Sequence, residues 1–268
     1  MYKTNKLLKI FVIGFLIFLY APALLLPIFS FNSSQVISFP LSGFSTKWFG
    51  QLLNEDTLHD ALLNSLIIAL LSSALATMLG TLTARAASRY KFFGQKVTMG
   101  FILLPLILPE IILGVCLLTV LIQLGLNLSL WTVVLGHTLL ILPFATLIML
   151  SAFNNLNISL EEASLDLGMN AWQTFYKIIL PMVTPGLISS LLIGFVISLD
   201  EFIIAFFLTG VDPTLPVYIW SQLRFPAKLP STMALGTILL IVSLILVSFF
   251  EYYRRRIEKY SQALSRGK

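Results

Sequence analysis

A chain of 268 residues with 57% hydrophobic and only 11% charged side chains is not a soluble globular domain, where charged residues make up about 25%. It has room for several membrane-spanning helices and none for a large soluble domain. The net charge of +5 would suit nucleic acid, but the placement of the basic residues argues for membrane topology instead.

Lys3, Lys6 and Lys9 precede an apolar run at about 7–29. That run is too long for a signal-peptide core and lacks a small-residue cleavage site, so it reads as a first span. A polar loop containing Phe44, Trp48 and Phe49 follows, to about Asp60. The second span covers about 61–84 and includes Asn64 and Ser65. A basic loop (Arg85, Arg89, Lys91, Lys96) leads to a third span at about 97–123 and a fourth at about 130–152. A hydrophilic interruption at 154–181 precedes a fifth at about 183–208. A polar loop to about Thr232, a sixth span at about 233–253 and a basic tail complete the chain. The expectation is an all-α membrane protein of six spans, forming one transmembrane domain over 1–268.

Six spans place both termini on one side. Fourteen of the 17 lysines and arginines fall on that side with the interruption, against Lys47, Arg224 and Lys228 opposite. The excess of Lys and Arg on cytoplasmic loops therefore predicts cytoplasmic termini and a cytoplasmic interruption.

The interruption is built like a small folded elbow. Ser159 lies three residues before Glu162, which fits a capping box. Glu161, Glu162 and Asp166 suit the positive end of the helix it would start, with Leu165 packing on one side. Gly168 permits a sharp turn. Trp172, Phe175 and Tyr176 then predict a second short helix with an aromatic face, stopped at Pro181. Such an elbow is a docking surface.

Three acids sit inside apolar runs, where an ionised carboxylate costs roughly 2.5–3.5 kcal/mol. Glu110 follows Pro105 and Pro109 in the middle of the third span, where a kink and the freed carbonyls of Phe101 and Pro105 would make a polar notch. Asp200 and Glu201 lie toward the outer half of the fifth and point about 100° apart. Each is a candidate for a substrate pathway; the alternative is a hydrogen bond that joins helices. His137 reads as satisfied by a neighbouring helix rather than as a proton relay, and Cys116 as a packing residue. Trp48 and Tyr218 belong either to an interfacial belt or to a cation–π site for an elongated organic cation. Asn64 is a helix-end hydrogen bonder. No phosphate-binding loop, zinc motif, Cys/His cluster or nucleophile elbow occurs, so neither a catalytic nor a metal site is expected.

The interruption resembles the EAA motif of bacterial ATP-binding-cassette importer permeases. Glu162, Ala163, Gly168, Ile178, Leu180 and Pro181 stand in register, with Ser164 replacing the second alanine. Six spans with the motif between the fourth and fifth is that family's topology, and the resemblance covers essentially the whole chain. It implies a type I importer permease fold in the bacterial inner membrane, with Glu161, Glu162, Ala163, Ser164, Asp166, Gly168 and Pro181 in a coupling helix and its flanks, against a separate ATPase. A narrower resemblance joins F-N-S-S (31–34), G-F-S-T-K-W-F (43–49), L-P-E-I (108–111), E-A-S-L-D-L-G (162–168) and S-L-D-E-F (198–202) to the C-type permease of spermidine/putrescine importers. That subgroup's S-x-D-D and P-D appear here as Asp200-Glu201 and Pro109-Glu110.

By that similarity Trp48, Glu110 and Asp200 lie on a polyamine path, with Glu201 and Tyr218 as further candidates. The resemblance also implies a second permease of the same fold, two ATPase copies that hold ATP and magnesium, and a periplasmic or lipid-anchored substrate-binding protein. This chain itself would bind a small cationic substrate and membrane lipid, with no cofactor and no nucleic acid. Two rivals are a permease of the same family for another small organic solute or cation, and an ion-driven secondary transporter using Glu110, Asp200 and His137. The second leaves the elbow spacing unexplained.

Overall fold

A computed structural model gives the fold and describes residues 6–245 and residue 248. Lys3, the last turns of the sixth expected span and the basic tail lie outside the described residues. In chain order the helices are α1 (Lys6–Ser30), α2 (Lys47–Leu52), α3 (Asp56–Arg89), α4 (Gln95–Leu103), α5 (Glu110–Gln123), α6 (Leu130–Asn154) and α7 (Ile158–Asp166). Then come α8 (Ala171–Thr174), α9 (Leu180–Asp200), α10 (Ile203–Leu208), α11 (Leu215–Gln222) and α12 (Pro226–Ile245). Five stretches are long and apolar enough to cross a membrane, and the bent α4–α5 pair makes a sixth. Two compact units are distinguished, Asp56–Tyr218 and the remainder, and each is described by itself.

In the Asp56–Tyr218 unit, α3, α6 and α9 pack on one another. Without water to drive helices together in lipid, association depends on close van der Waals approach and hydrogen bonds between helices. The buried face of α3 is accordingly small: Ala69, Ser72, Ser73, Ala76, Gly80 and Ala84. A Cβ added at Gly80 would lie 2.9 Å from the Ala145 carbonyl carbon and the Thr146 nitrogen, so the α6 backbone fills that space. Ser72 bonds Ser198 at 3.0 Å and Thr77 meets Ser190 at 2.9 Å, two polar rungs from α3 to α9. α3 outruns the expected 61–84 at both ends. Asp56 in its first turn and Arg89 in its last complement the helix dipole, and Arg85 and Arg89 therefore belong to the helix rather than to a basic loop.

The third expected span is two arms rather than one kinked helix. A 3-10 turn at Leu104–Leu106 closes α4, Pro109 is extended at ψ 131°, and the arms diverge by 108°. The Phe101 carbonyl, expected to be free, accepts the Leu104 N–H. Glu110 is consequently the first residue of α5 and not the middle of a span. The fifth span also breaks: α9 ends at Asp200, Glu201 is extended (φ −72°, ψ 112°), and α10 then packs on α5 and α6.

The other unit holds α1, α2 and α12. Asn32 and Phe44 form an isolated antiparallel bridge, over which the Phe31 and Phe44 rings stack at 5.0 Å. Gly236 of α12 lets the Leu26 side chain of α1 approach, 3.4 Å from where a Cβ would stand.

Candidate functional site

The elbow between α6 and α9 is assembled from three local devices. Asn157, not Ser159, starts α7: its side chain accepts the Ser159 N–H at 3.0 Å. An Asn in extended conformation two residues ahead of that donor is a complete cap, so the expected Ser159–Glu162 box does not form. Glu161 alone is the first-turn acid, whereas Asp166 closes the last turn.

At its far end the Gly168 N–H bonds the Leu165 carbonyl at 2.9 Å and the Met169 N–H bonds Ser164 at 3.1 Å. This Schellman motif needs a left-handed residue, which Gly168 supplies at φ +86°. Asn170 and Gln173 then form the capping box that starts α8.

Pro181 does not stop this second helix. A π-helical turn at Phe175–Ile179 carries the chain from α8 into α9, where Pro181 occupies the first turn and needs no backbone donor. Trp172 and Tyr176 meet edge-on with centroids 4.7 Å apart.

The elbow has two chemically different faces. Glu161, Ser164 and Thr174 are buried. Ser164 Oγ donates to the Glu161 carbonyl at 2.8 Å and meets Thr174 Oγ1 at 2.8 Å, tying α7 to α8. The Glu161 carboxylate receives Arg85 Nη1 and Nη2 at 2.7 Å each and Arg89 Nε at 2.8 Å. Burial pushes its carboxyl up, but hydrogen bonds and charge from both arginines outweigh that and hold it below the ordinary value.

Arg89 also donates to the Phe153 and Leu156 carbonyls at 3.1 Å, where α6 ends. Sequence reasoning missed this node and took Arg85 and Arg89 as loop charges; their spacing of one helical turn was the available signal. The opposite face exposes Glu162, Ala163, Asp166 and Gly168, and Leu165, expected to pack, is exposed with Leu167 and Trp172.

A second constellation lies at the two helix breaks. Glu110 and Asp200 are exposed, one at the start of α5 and the other at the end of α9. Glu201 is only 7% exposed, and its Oε1 accepts the Ile204 N–H at 2.9 Å, capping α10. The three acids thus separate into one internal cap and two open carboxylates. Among the described residues, no group of His, Cys, Asp and Glu has metal-holding geometry.

His137 Nδ1 meets Ser198 Oγ at 2.7 Å, a neighbouring-helix partner as expected, while its buried Nε2 has none. Asn64 Nδ2 donates to the Pro213 carbonyl at 3.1 Å. Tyr218 is buried. Cys116, expected to pack, is exposed.

Trp48 belongs to the other unit and lines an open hollow of about 390 Å³ with Gln35, Gln51, Asn54, Glu55 and Lys228. The side chain is 2% exposed, its indole N–H donates to the Asn32 carbonyl at 2.6 Å, and Lys47 Nζ stands 4.4 Å from its ring centroid. Its ring already faces a cation from its own chain.

Residues 76–259 match the family model for binding-protein-dependent transport system inner membrane components. The chain belongs to this family. It is 34% identical over 231 residues to the spermidine/putrescine transport system permease protein PotC of Escherichia coli (strain K12), covering 86% of this chain and 87% of that one. The PotC of Haemophilus influenzae is 34% identical over 240 residues, 89% of this chain and 93% of its own. The putrescine transport system permease protein PotI of E. coli K12 is 35% identical over 252 residues, 91% and 88% respectively.

A bacterial transporter that imports alginate superposes with a TM-score of 0.73 at 16% identity, over 93% of this chain and 99% of that one. The MetNI methionine transporter gives 0.57 at 17%, over 80% and 97%. These structures establish the type I importer permease fold. This family member is a membrane-spanning permease subunit of an importer and a multi-pass inner-membrane component.

Proposed function

We propose that the subunit carries polyamines, that its termini and elbow are cytoplasmic, and that the exposed face of α7 and α8 docks on a separate ATPase. The observation that carries the coupling role is the division of the elbow. Glu161 and Ser164 are consumed inside the chain, while Glu162, Ala163, Asp166 and Gly168 of the same elbow are exposed, as is Trp172. An exposed apolar and acidic patch of this kind marks a protein contact. Ser164 and Pro181, part of the same EAA motif, shape that face from within. ATP and magnesium reside on the ATPase in this reading, and a second permease and a substrate-binding protein complete the importer.

The polyamine assignment is supported by the names of the PotC and PotI relatives and by the open carboxylates of Glu110 and Asp200, which suit ammonium groups. In proteoliposomes holding the assembled importer, ATP-dependent uptake of labelled spermidine or putrescine is the expected result. Uptake without any ATPase subunit would sink the coupling role. Uptake of another solute, with polyamines neither carried nor competing, would sink the substrate assignment alone.

A further inference from the structure

α7 packs mainly on α8 and the π turn, while its tie to the long spans is polar. Three hydrogen bonds converge on the Glu161 carboxylate from two arginines one turn apart on α3, and both of its oxygens are engaged. Arg89 reaches on to the Phe153 carbonyl in the last turn of α6 and to the Leu156 carbonyl just beyond it. One node therefore joins the end of α3, the end of α6 and the first turn of α7. Beneath it lies an apolar cluster of Ala84, Met149, Phe153, Ile179 and Val183, with the Arg85 guanidinium 5.8 Å from the Phe153 ring centroid. A two-pronged Arg–carboxylate pair fixes orientation as well as distance, and removing Glu161 would leave both arginines without their carboxylate.

We infer that Arg85, Glu161 and Arg89 are positioning residues for coupling. They make α7 move as one piece with α3 and α6, so that a displacement imposed on the exposed face of the elbow reaches the spans. This rests on the reading of that face as the ATPase contact. Glu161 acts within the chain, and exposed Glu162 is the neighbouring acid left for the partner.

The test uses the complete importer in proteoliposomes, with Glu161→Gln, Arg85→Gln and the double variant. The readouts are ATPase co-purification, ATP hydrolysis and solute transported per ATP. The ATPase is expected to co-purify at the unsubstituted ratio, while transport per ATP falls at least about fivefold, the low end of usual coupling factors. The double variant should fall no further than Glu161→Gln, because the two residues act through each other. In a Cys116→Ser background, Arg85→Cys/Glu161→Cys should be uncoupled and should regain coupling when a bifunctional maleimide bridges the pair.

Unchanged transport per ATP with only a lower yield of complex would overturn the inference, as would losses that multiply in the double variant. Loss of the ATPase from Glu161→Gln but not from Glu162→Gln would also overturn it, leaving the docking face intact. Failure of the unsubstituted chain to hold any ATPase would overturn both.

Discussion

Arg85 and Glu161 stand 76 residues apart in the chain and meet through two parallel hydrogen bonds of 2.7 Å. The pair turns a charge that the sequence offers to a partner protein into an internal joint. Its protonation then becomes a question of stability.

The Glu161 carboxyl titrates below its ordinary value of 4.5 in the folded chain. The unfolded chain therefore binds the proton first as pH falls, so the contribution of the node is complete above 4.5 and is lost as pH drops through the folded value. Thermal unfolding of the detergent-solubilised chain should show the advantage over Glu161→Gln shrinking from neutral pH to below 4.5. A constant difference between the two proteins across that range would contradict the assignment.

Gly168 has a φ of +86° and open space where a Cβ would go. Gly168→Ala therefore acts through backbone strain and not through a clash, at a cost of about 1–2 kcal/mol. Gly168→Asp adds a charge to the exposed face. We expect Gly168→Ala to lower transport in part and Gly168→Asp to abolish it, with both proteins inserted normally, as judged by membrane fractionation and uptake. Full uptake by Gly168→Asp would refute the role of the turn.

The three acids should behave differently. Asp200→Asn and Glu110→Gln are expected to raise KM for a cationic substrate roughly tenfold, the loss of about one charge-assisted hydrogen bond, at unchanged thermal stability. Glu201→Ala removes the cap on α10 and should lower stability by about 1 kcal/mol or more. Uptake kinetics and thermal denaturation read in parallel separate the two classes; a stability loss at Asp200 or none at Glu201 would reverse the assignment.

Gly80→Ala puts a methyl group into the α6 backbone at Ala145. Separation of α3 and α6 should cost about 1–3 kcal/mol, visible as a lower unfolding temperature. An unshifted transition would show that the helices part freely there.

The spans were legible because lipid imposes length and apolarity on every crossing, and α1 and α6 fall almost where the composition puts them. The breaks were less so. Pro105 and Pro109 announced a bend, but a proline states only which bond is missing, and not that the two arms diverge by 108°. Asp200 and Glu201 look equivalent as adjacent carboxylates, and only the extended backbone at 201 decides which of them caps the next helix. The elbow was recognisable from the spacing around Gly168. Its caps were misassigned because Asn157 and Ser159 are both competent, and the winner is set by backbone angles. The spacing of Arg85 and Arg89 hinted at a shared partner one turn apart, but that the partner is Glu161 emerges only once α3 and α7 are placed.

One further property follows from the π turn that joins α8 to α9. Ala171–Asp200 is one uninterrupted helical stretch of 30 residues, the π turn included, which at 1.5 Å per residue is about 45 Å of helix. Trp172 stands at one tip and Asp200 terminates the other. In the coupling proposed above, the exposed aromatic tip and the open carboxylate are therefore two ends of one helical segment rather than parts of separate elements.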